Sequence, residues 1–329
     1  MEISVIVPVY NEEENIARTI ESLLNQTFKD YEIIAVNDAS TDNSIDVLNR
    51  YKDRIKIIDK KKNEGQAKTL NAGLKISKGD IIARTDGDSI VPADWLMRIH
   101  NNFKNDDIIG VGGWLAVANE NSYWALANNF KDVIFNGVLK KAVTPNVLPG
   151  ANNAVLASAL REIGGYPDKK IYSEDFLLFS KLNKMGKVIR DDNLVIKTYY
   201  PEKFIDSIKR KFFWGVAGSS LFGNANTYKF YLRPLYYIGL ITLLISVMVC
   251  YFYASTLSLM AGILFLLVIS PMTLGVFLIS LFYILKSTDY KYLKVLPTTI
   301  LYPFLLEFVY FIGLIYGLSG GNVKVWREV

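Results

Sequence analysis

The chain is poor in the residues that build thiol and imidazole chemistry: among 329 residues it has one cysteine, Cys250, and one histidine, His100. A single cysteine excludes an internal disulfide framework and a thiolate metal site. A single histidine excludes a histidine-rich metal cluster and argues against a catalytic triad built on histidine. These absences remove thiol and imidazole metal sites from consideration.

Charge is absent from the whole of residues 234–285. This length is enough for two membrane spans of about 20 residues with a short connection. A further apolar stretch, residues 296–318, carries Glu307 as its only charge. Any one stretch alone has a second explanation, a buried helix of a soluble core, but the three together favour a membrane. We predict a transmembrane region at residues 234–321, with spans at about 234–254, 257–285 and 296–318, and a C-terminal tail at 322–329.

The flanks of these stretches are basic, both in the amphipathic interfacial segment at residues 202–233 and in the loop from Lys286 to Lys294. Basic loops lie on the cytoplasmic side of membranes, so both flanks are predicted to be cytoplasmic. The chain begins with a strand pattern and not with a cleavable signal sequence, which places the domain at residues 1–201 in the cytoplasm as well. The last apolar stretch is either a third crossing of the cell membrane or an interfacial helix. The net charge of +5 suits membrane lipids with anionic headgroups and requires no nucleic acid.

Residues 1–201 alternate apolar strands with amphipathic helices, which predicts an α/β domain with a largely parallel sheet. The predicted strands are 3–9, 32–36, 55–58 and 81–85, and the predicted helices are 12–24, 41–51, 66–76, 93–103 and 176–185. Asn11 is predicted to cap the first helix. Ligands of such sheets bind at the carboxyl ends of the strands, where we expect Tyr10, Asp38 and Asp86 to meet.

Asp86-Gly87-Asp88 follows the fourth predicted strand. Two carboxylates on one short segment are able to hold a hard divalent cation, which in turn binds the phosphates of a nucleotide. The other interpretation is an ordinary tight turn, for which Asp-Gly is a common sequence. The crevice shared with the other strand ends favours the cation site.

Several motifs follow one another in a fixed order: Pro8-Val9-Tyr10-Asn11-Glu12, Val36-Asn37-Asp38-Ala39-Ser40-Thr41-Asp42, Asn63-Glu64-Gly65-Gln66-Ala67, Asp86-Gly87-Asp88 and Ser173-Glu174-Asp175. Together they resemble the family 2 glycosyltransferases, over roughly residues 3–218. The resemblance implies the GT-A fold, a Rossmann-like domain that transfers sugars from nucleoside diphosphates. The C-terminal spans resemble those of membrane-integrated members.

The resemblance implies a site for a nucleoside-diphosphate sugar, usually one linked to UDP. Its donor-binding residues are expected to be Pro8, Val9, Tyr10, Glu12, Asp38, Asn63, Gly65, Lys68, Asp86 and Gly87. Asp38 either accepts a hydrogen bond from the base or caps the helix near Thr41. The segment 63–65 offers N–H groups at a helix start to a phosphate, and Lys68 either reaches that phosphate or is an ordinary solvated lysine.

Asp86 and Asp88 are predicted to hold Mg²⁺ or Mn²⁺, which offsets the charge of the departing diphosphate. By the same resemblance, Asp175 is the catalytic base and Glu174 orients the acceptor. Both acidic residues have a second explanation, because acidic residues in the first turn of a helix stabilise it. Gly150 and Asn152 are expected to lie on the acceptor side.

The chain departs from the processive polymerases of the family at one place. Those enzymes have glutamine and arginine where this chain has Arg210 and Phe213, although Trp214 matches. A chain-extending synthase is therefore disfavoured. Arg210 and Trp214 are predicted to lie near the acceptor, and Trp214 either stacks on an acceptor sugar or anchors the chain at the membrane interface.

The predicted function is that of an inverting, metal-dependent glycosyltransferase whose acceptor is a polyprenyl phosphate or a lipid-linked saccharide. The alternative is a polysaccharide synthase that extends and exports a glycan, for which three apolar stretches are few unless the protein oligomerises. A sugar-nucleotide sensor would lack a base such as Asp175. A transporter would carry several ionisable residues in its spans, where only Glu307 is found.

Overall fold

The computed structural model describes residues 2–134, 148–168 and 174–219, together with short pieces between 278 and 316. These pieces are residues 278, 280–281, 284–285, 290–297, 305–306, 309–310 and 312–316. The described residues form two compact units. The first, called the sheet unit below, contains residues 2–119 and the described part of 148–200. The second, called the helical unit, contains 120–134, 201–219 and the later pieces.

The sheet unit is built on one sheet whose described strands are β1 Ile3–Val9, β2 Tyr31–Asn37, β3 Lys56–Asp59, β4 Ile81–Arg84, β5 Ser89–Ile90, β6 Ile108–Val117, β7 Asn153–Leu156 and β8 Lys187–Thr198. The helices in chain order are α1 Ile16–Leu24, α2 Ser44–Asn49, α3 Gln66–Ile76, α4 Trp95–Asn102, α5 Tyr123–Asp132, α6 Ala157–Glu162, α7 Glu174–Leu182 and α8 Phe204–Ser219. Of these helices, α5 and α8 belong to the helical unit.

The sheet is mixed, with the strand order β3-β2-β1-β4-β7-β6-β8-β5. The prediction of parallel strands holds for the first four, β3-β2-β1-β4. Beyond the predicted strands, β7 runs antiparallel to both β4 and β6, β5 runs antiparallel to β8, and β6 is parallel to β8. Their direction depends on distant partners that the local pattern does not reveal.

Two apolar cores sandwich the sheet. Strand β1 sends Val5 and Val7 to the core shared with α1, α2 and α4, and Ile6 to the core shared with α3, α6 and α7. Full burial of each such side chain contributes about 1.5–3 kcal/mol. Helix α3 lies so close to β1 that a Cβ added at Gly73 would stand 2.6 Å from Ile6 Cγ2. The parallel half of the sheet is therefore covered on both faces, as continuous apolar strands require.

The chain leaves β1 through a tight bend that the sequence prediction missed. Helix α1 begins at Ile16, so Asn11 does not cap it. Asn11 has a φ of 53°, and its Oδ1 accepts a hydrogen bond of 2.8 Å from Thr41 N. Asparagine tolerates this left-handed conformation better than most residues. Asn11 therefore fastens the end of β1 to the segment after β2.

The carboxyl ends of the parallel strands lie side by side, as predicted. Val9 stands opposite Asn37 in the β1–β2 ladder, and Asp38 N donates to Val9 O at 2.8 Å. On the other side of β1, Thr85 N donates to Ile6 O at 3.4 Å. The segments that follow β1, β2 and β4 thus begin at one edge of the sheet.

The helical unit is held by aromatic and amide contacts. Tyr292 Oη donates to Asn129 Oδ1 at 2.6 Å, and its ring stacks on Phe130 with centroids 4.6 Å apart. Helix α8 meets a second helical segment very closely, since a Cβ at Gly215 would stand 1.9 Å from Tyr310 O and one at Gly313 would stand 2.1 Å from Phe212 O.

Among the residues that the structure describes, no helix has the length and apolar character needed to cross a membrane. The predicted span at 234–254 lies outside the described residues, and so do most of 257–285 and about half of 296–318.

Candidate active site

Asp38, directly after β2, is fully buried and is surrounded by donors from the chain itself. Its Oδ1 accepts hydrogen bonds from Lys60 Nζ at 2.5 Å and from Glu64 N at 3.1 Å, and its Oδ2 accepts one from Gly65 N at 2.9 Å. Asp38 does not cap α2, which begins at Ser44 with Asn43 at its N-cap. It instead fixes the segment before α3, where Gly65 has a φ of 91°. Asp38 therefore shapes the start of that helix.

Lys60 is a member of this cluster that the sequence analysis missed. Its Nζ also approaches Glu64 Oε2 at 3.3 Å and Thr69 Oγ1 at 3.2 Å, and its side chain is 10% exposed. In the sequence it is the first of three consecutive lysines, with nothing to set it apart. The signal that identifies it is its place directly after β3, next to the strand that carries Asp38.

Helix α3 begins with its N-terminus near the segments that follow β2 and β4. Gln66 Nε2, in its first turn, donates to Asp86 Oδ1 at 3.2 Å. Free N–H groups and the helix dipole make such a terminus a favourable place for a phosphate. Lys68 is 47% exposed, and its Nζ lies 3.6 Å from Glu64 and 3.8 Å from Asp168 carboxylate oxygens. This position agrees with the solvated alternative for Lys68. Asn63 lies partly buried just before the cluster.

The residues 86–88 form a turn, because Ser89 N donates to Asp86 O at 3.2 Å. Neighbouring elements anchor the turn: Thr19 Oγ1 of α1 donates to Gly87 O at 2.8 Å, and Tyr199 N after β8 donates to Asp88 O at 3.2 Å. The backbone of Asp86-Gly87-Asp88 is therefore a tight turn, as one of the two interpretations predicts. Such a turn does not exclude a bound cation.

The residues at the end of β1 are buried beside this turn. A Cβ at Gly87 would stand 3.2 Å from Glu12 Cγ and 3.4 Å from Pro8 O. Glu12 is 6% exposed and Tyr10 is 7% exposed, and Val9 is fully buried. These positions bring the first predicted motif against the Asp86–Asp88 turn.

Arg84, the last residue of β4, is the second functional candidate that the sequence analysis missed. It is 1% exposed. Its Nη1 lies 2.9 Å from Asp175 Oδ1 and its Nη2 lies 3.5 Å from Asp86 Oδ1. A charged residue at the end of a buried strand requires charged or polar partners. The place of Arg84 at the end of a predicted buried strand is the sequence signal that could have identified it. The contacts bring Asp175, some ninety residues later, to the turn that follows β4.

Asp175 lies in the first turn of α7, with 31% of its side chain exposed. Gly150 N–H donates to its carboxylate. Any side chain at Gly150 would collide, since a Cβ would stand 2.6 Å from Asp175 Oδ2 and 2.8 Å from Arg84 Nη2. Withdrawal of the carboxyl from water raises the pKa of Asp175, and the neighbouring Asp86 raises it further, while Arg84 opposes both. A carboxylate with a raised pKa is a better proton acceptor.

Asn152, predicted to lie on the acceptor side, is held by hydrogen bonds within the sheet unit. Asn152 is fully buried, with its Nδ2 donating to Trp114 O at 2.9 Å and Leu194 O at 2.8 Å, and its Oδ1 accepting from Trp95 Nε1 at 2.9 Å. Its amide is thus used in holding β6, β8 and α4 together, and the acceptor-side role stays a prediction. The side chain of Glu174, like Ser173, lies outside the described part of the chain.

Arg210 and Trp214 lie on α8 in the helical unit. The Arg210 guanidinium stands 5.0 Å from the Trp214 ring centroid, and Lys211 Nζ stands 5.6 Å from it. Two cations over one indole form a basic aromatic cluster. Both alternatives for Trp214, a sugar platform and an interfacial anchor, suit such a cluster.

The ligands predicted for a divalent cation are Asp86 and Asp88. Within the described ranges no group of three or more acidic, histidine or cysteine side chains is placed to hold a metal ion. Mg²⁺ is commonly bound by one or two carboxylates, with phosphate oxygens and water completing its shell. Two hard oxygen ligands on a turn at the strand ends fit that mode, with the donor phosphates as the remaining ligands.

Several known proteins are similar to this chain in sequence or in fold. An uncharacterized glycosyltransferase of Haemophilus influenzae is 32% identical over 207 residues, which are 59% of this chain and 64% of that protein. The poly-beta-1,6-N-acetyl-D-glucosamine synthase of Staphylococcus aureus is 29% identical over 201 residues, 59% of this chain and 48% of that protein. The chain thus spans less than two thirds of the length of either relative.

A mannosyltransferase from Pyrobaculum calidifontis, solved in complex with GDP-Man and Mn²⁺, has a TM-score of 0.60 at 18% identity, over 98% of this chain and 88% of that one. This likeness supports a GT-A-like α/β fold. The model of the family "Glycosyl transferase family 2" matches residues 4–164, which include β1 to β4 and the Asp86–Asp88 turn. Residues 4–164 are therefore similar to the family 2 glycosyltransferase domain.

Proposed function

We propose that this chain is an inverting, metal-dependent glycosyltransferase that moves a sugar from a nucleoside-diphosphate sugar, UDP-linked by resemblance, to a membrane-associated acceptor. The observation that carries the proposal is the position of Asp175, which Arg84 and Gly150 N–H hold beside the Asp86–Asp88 turn. An inverting transfer needs a proton acceptor near the anomeric carbon, on the face opposite the diphosphate that the same carbon carries.

The chemistry assigned to Asp175 is the removal of a proton from the acceptor hydroxyl. As the proton moves to the carboxylate, the hydroxyl oxygen forms a bond to the anomeric carbon from the face opposite the diphosphate. The bond from that carbon to the diphosphate oxygen breaks, and its electron pair leaves with the nucleoside diphosphate. A single displacement of this kind inverts the anomeric configuration.

The donor is proposed to lie along the strand ends, with its phosphates near the start of α3 and the Asp86–Asp88 turn. The N–H groups at a helix start favour phosphate. When bound there, Mg²⁺ or Mn²⁺ would offset the negative charge that develops on the leaving diphosphate. Asp38 keeps the segment at Gly65 in the conformation that α3 needs, through the hydrogen bond from Gly65 N.

The membrane-associated acceptor, a polyprenyl phosphate or a lipid-linked saccharide, is supported by composition. Residues 234–285 contain no charge, and an anchor of this size would be excessive for a soluble acceptor. A multi-pass position in the cell membrane, with the sheet unit in the cytoplasm, is proposed on the same ground. A polysaccharide synthase is the second candidate, because the Staphylococcus aureus relative is a poly-beta-1,6-N-acetyl-D-glucosamine synthase. This chain matches 48% of the length of that relative.

The test uses the full purified chain in detergent with native lipid extract, Mn²⁺ or Mg²⁺, and radiolabelled UDP-glucose, UDP-N-acetylglucosamine and GDP-mannose. Label that enters the organic phase supports the glycosylation of a lipid acceptor, whereas label in long polymer supports the synthase. The Asp175→Asn variant is expected to keep only a small residual rate of transfer while binding the nucleotide as the wild type does. Nucleotide binding without any transfer by the wild type would contradict the proposed activity.

A further inference from the structure

Arg84 stands out because a fully buried guanidinium must have its charge compensated, and two carboxylates that it contacts in the described part of the chain come from different elements. Asp86 belongs to the turn after β4, and Asp175 belongs to the first turn of α7. The first carboxylate is on the proposed donor side and the second is the proposed proton acceptor. One arginine therefore connects the two halves of the proposed reaction.

The geometry of the contacts fixes relative position. Nη1 of Arg84 contacts Asp175 at 2.9 Å, and Nη2 contacts Asp86 at 3.5 Å. The two nitrogens belong to one rigid planar group, so the separation and orientation of the two carboxylates are determined together. A lysine has a single ammonium on a flexible stem and cannot reproduce this arrangement.

Gly150 closes the arrangement from the other side. Its N–H donates to the Asp175 carboxylate. A Cβ at this position would stand 2.6 Å from Asp175 Oδ2 and 2.8 Å from Arg84 Nη2, so only glycine allows the backbone to approach. The Asp175 carboxylate is thus held by a side chain on one side and by backbone on the other.

We propose that Arg84 is a positioning residue for sugar transfer, which holds Asp175 at a fixed place relative to the donor turn and acts on the reaction only through that carboxylate. This inference rests on the proposed function and names how its base is oriented. Misplacement of a reacting group by about 1 Å can cost about 100-fold in rate. The rate of transfer should therefore depend on Arg84 more strongly than donor binding does.

The test compares Arg84→Lys with Arg161→Lys in the full chain. Arg161 is a suitable control, because it is exposed and donates to Ser77 O at 3.1 Å, outside the Arg84 cluster. For Arg84→Lys we expect kcat to fall about 10- to 100-fold with the donor KM and the UDP dissociation constant within about 3-fold of wild type. Arg161→Lys is expected to keep wild-type kinetics. A raised donor KM at unchanged kcat would place Arg84 in donor binding and overturn the proposal.

A double variant separates action through Asp175 from independent action. If Arg84 works through that carboxylate, Arg84→Lys added to Asp175→Asn should cause no further loss of rate. Multiplied losses would overturn the proposal. Should Arg84→Lys fail to fold, Gly150→Ala disturbs the same pair from the backbone side, and the same fall in kcat at unchanged KM is expected.

The two proposals fail in different ways. A wild-type chain that transfers no sugar from any donor of the panel would refute the proposed function, and the role of Arg84 with it. Transfer by the wild type, with unchanged kcat in both Arg84→Lys and Gly150→Ala, would refute the role of Arg84 alone.

Discussion

The buried contact between Asp38 and Lys60 is expected to stabilise the fold at the start of α3. The Lys60→Met variant leaves the fully buried carboxylate of Asp38 with backbone donors only. We expect it to lower the free energy of unfolding by about 3 kcal/mol, since removal of one partner leaves an uncompensated buried charge. Urea unfolding followed by tryptophan fluorescence measures the change.

The neighbouring Lys61 provides the control for this prediction. Its side chain is 91% exposed and lies 3.6 Å from an Asp59 carboxylate oxygen. Exposed pairs contribute little, so Lys61→Met is expected to leave the free energy of unfolding nearly unchanged. Equal losses in the two variants would show that the burial of Lys60 does not matter.

Asp175 connects pH to both activity and stability, with opposite signs. Its pKa in the folded chain is raised by withdrawal from water and by Asp86. The folded state therefore holds this proton more tightly than the unfolded state does. The resulting stabilisation is present below the ordinary aspartate pKa of about 3.9 and is lost as pH rises through the raised value. Transfer should increase over the same window, because only the carboxylate accepts a proton.

The measurement is the pH dependence of kcat/KM together with that of the unfolding midpoint, in the wild type and in Asp175→Asn. We expect the acid limb of the wild-type rate profile to lie above the ordinary aspartate range. Residual activity in Asp175→Asn should lack that limb. A limb that persists unchanged in the variant would belong to another group.

At the scale of elements, local pattern predicts β1 and α3 with their observed bounds, Ile3–Val9 and Gln66–Ile76. An unbroken apolar run and a glycine before an amphipathic stretch are local signals, which explains that success. Helix α1 begins four residues later than predicted from Glu12, because the preceding residues bend to meet the segment after β2. The antiparallel direction of β7 depends on β4 and β6, which no local pattern contains.

The candidate site likewise contains residues that the sequence predicts and residues that it does not reveal. The motifs identify Asp38, Asp86 and Asp175, because acidic residues after strands or at a helix start are visible in the sequence. Lys60 and Arg84 are recognised only through their buried partners. The sequence also does not reveal the three hydrogen bonds that hold the Asn152 amide in the core.

The segment that joins β3 to α3 offers a test at this scale. Gly65 has a φ of 91° and Gly164 a φ of 85°, so alanine strains the backbone at either position. We expect Gly65→Ala and Gly164→Ala each to lower the free energy of unfolding by about 1–2 kcal/mol. Only Gly65→Ala should weaken the binding of UDP, because Gly65 N is held by Asp38 at the start of α3. Isothermal titration with UDP distinguishes the variants, and equal affinities would remove this segment from the donor site.

At the scale of the whole molecule, composition and geometry describe different parts of the chain. The catalytic proposal depends on the sheet unit, where the contacts of Arg84 and Asp175 are observed. The membrane proposal depends on residues 234–285, through the absence of charge alone. A test of membrane attachment is therefore independent of every test of the active site.

We expect the full chain to remain with the membrane fraction after extraction with 1 M salt and again with alkaline carbonate. Salt releases proteins held by basic surfaces, because it screens their attraction to anionic lipids. Carbonate leaves only proteins whose apolar segments lie within the bilayer. Release by salt would show that the basic residues of α8 and its surroundings alone account for the attachment.

Protease added outside intact spheroplasts should spare α8 and cut it after lysis, since basic flanks face the cytoplasm. Cleavage of α8 before lysis would reverse the proposed orientation and separate the sheet unit from cytoplasmic nucleotide sugars.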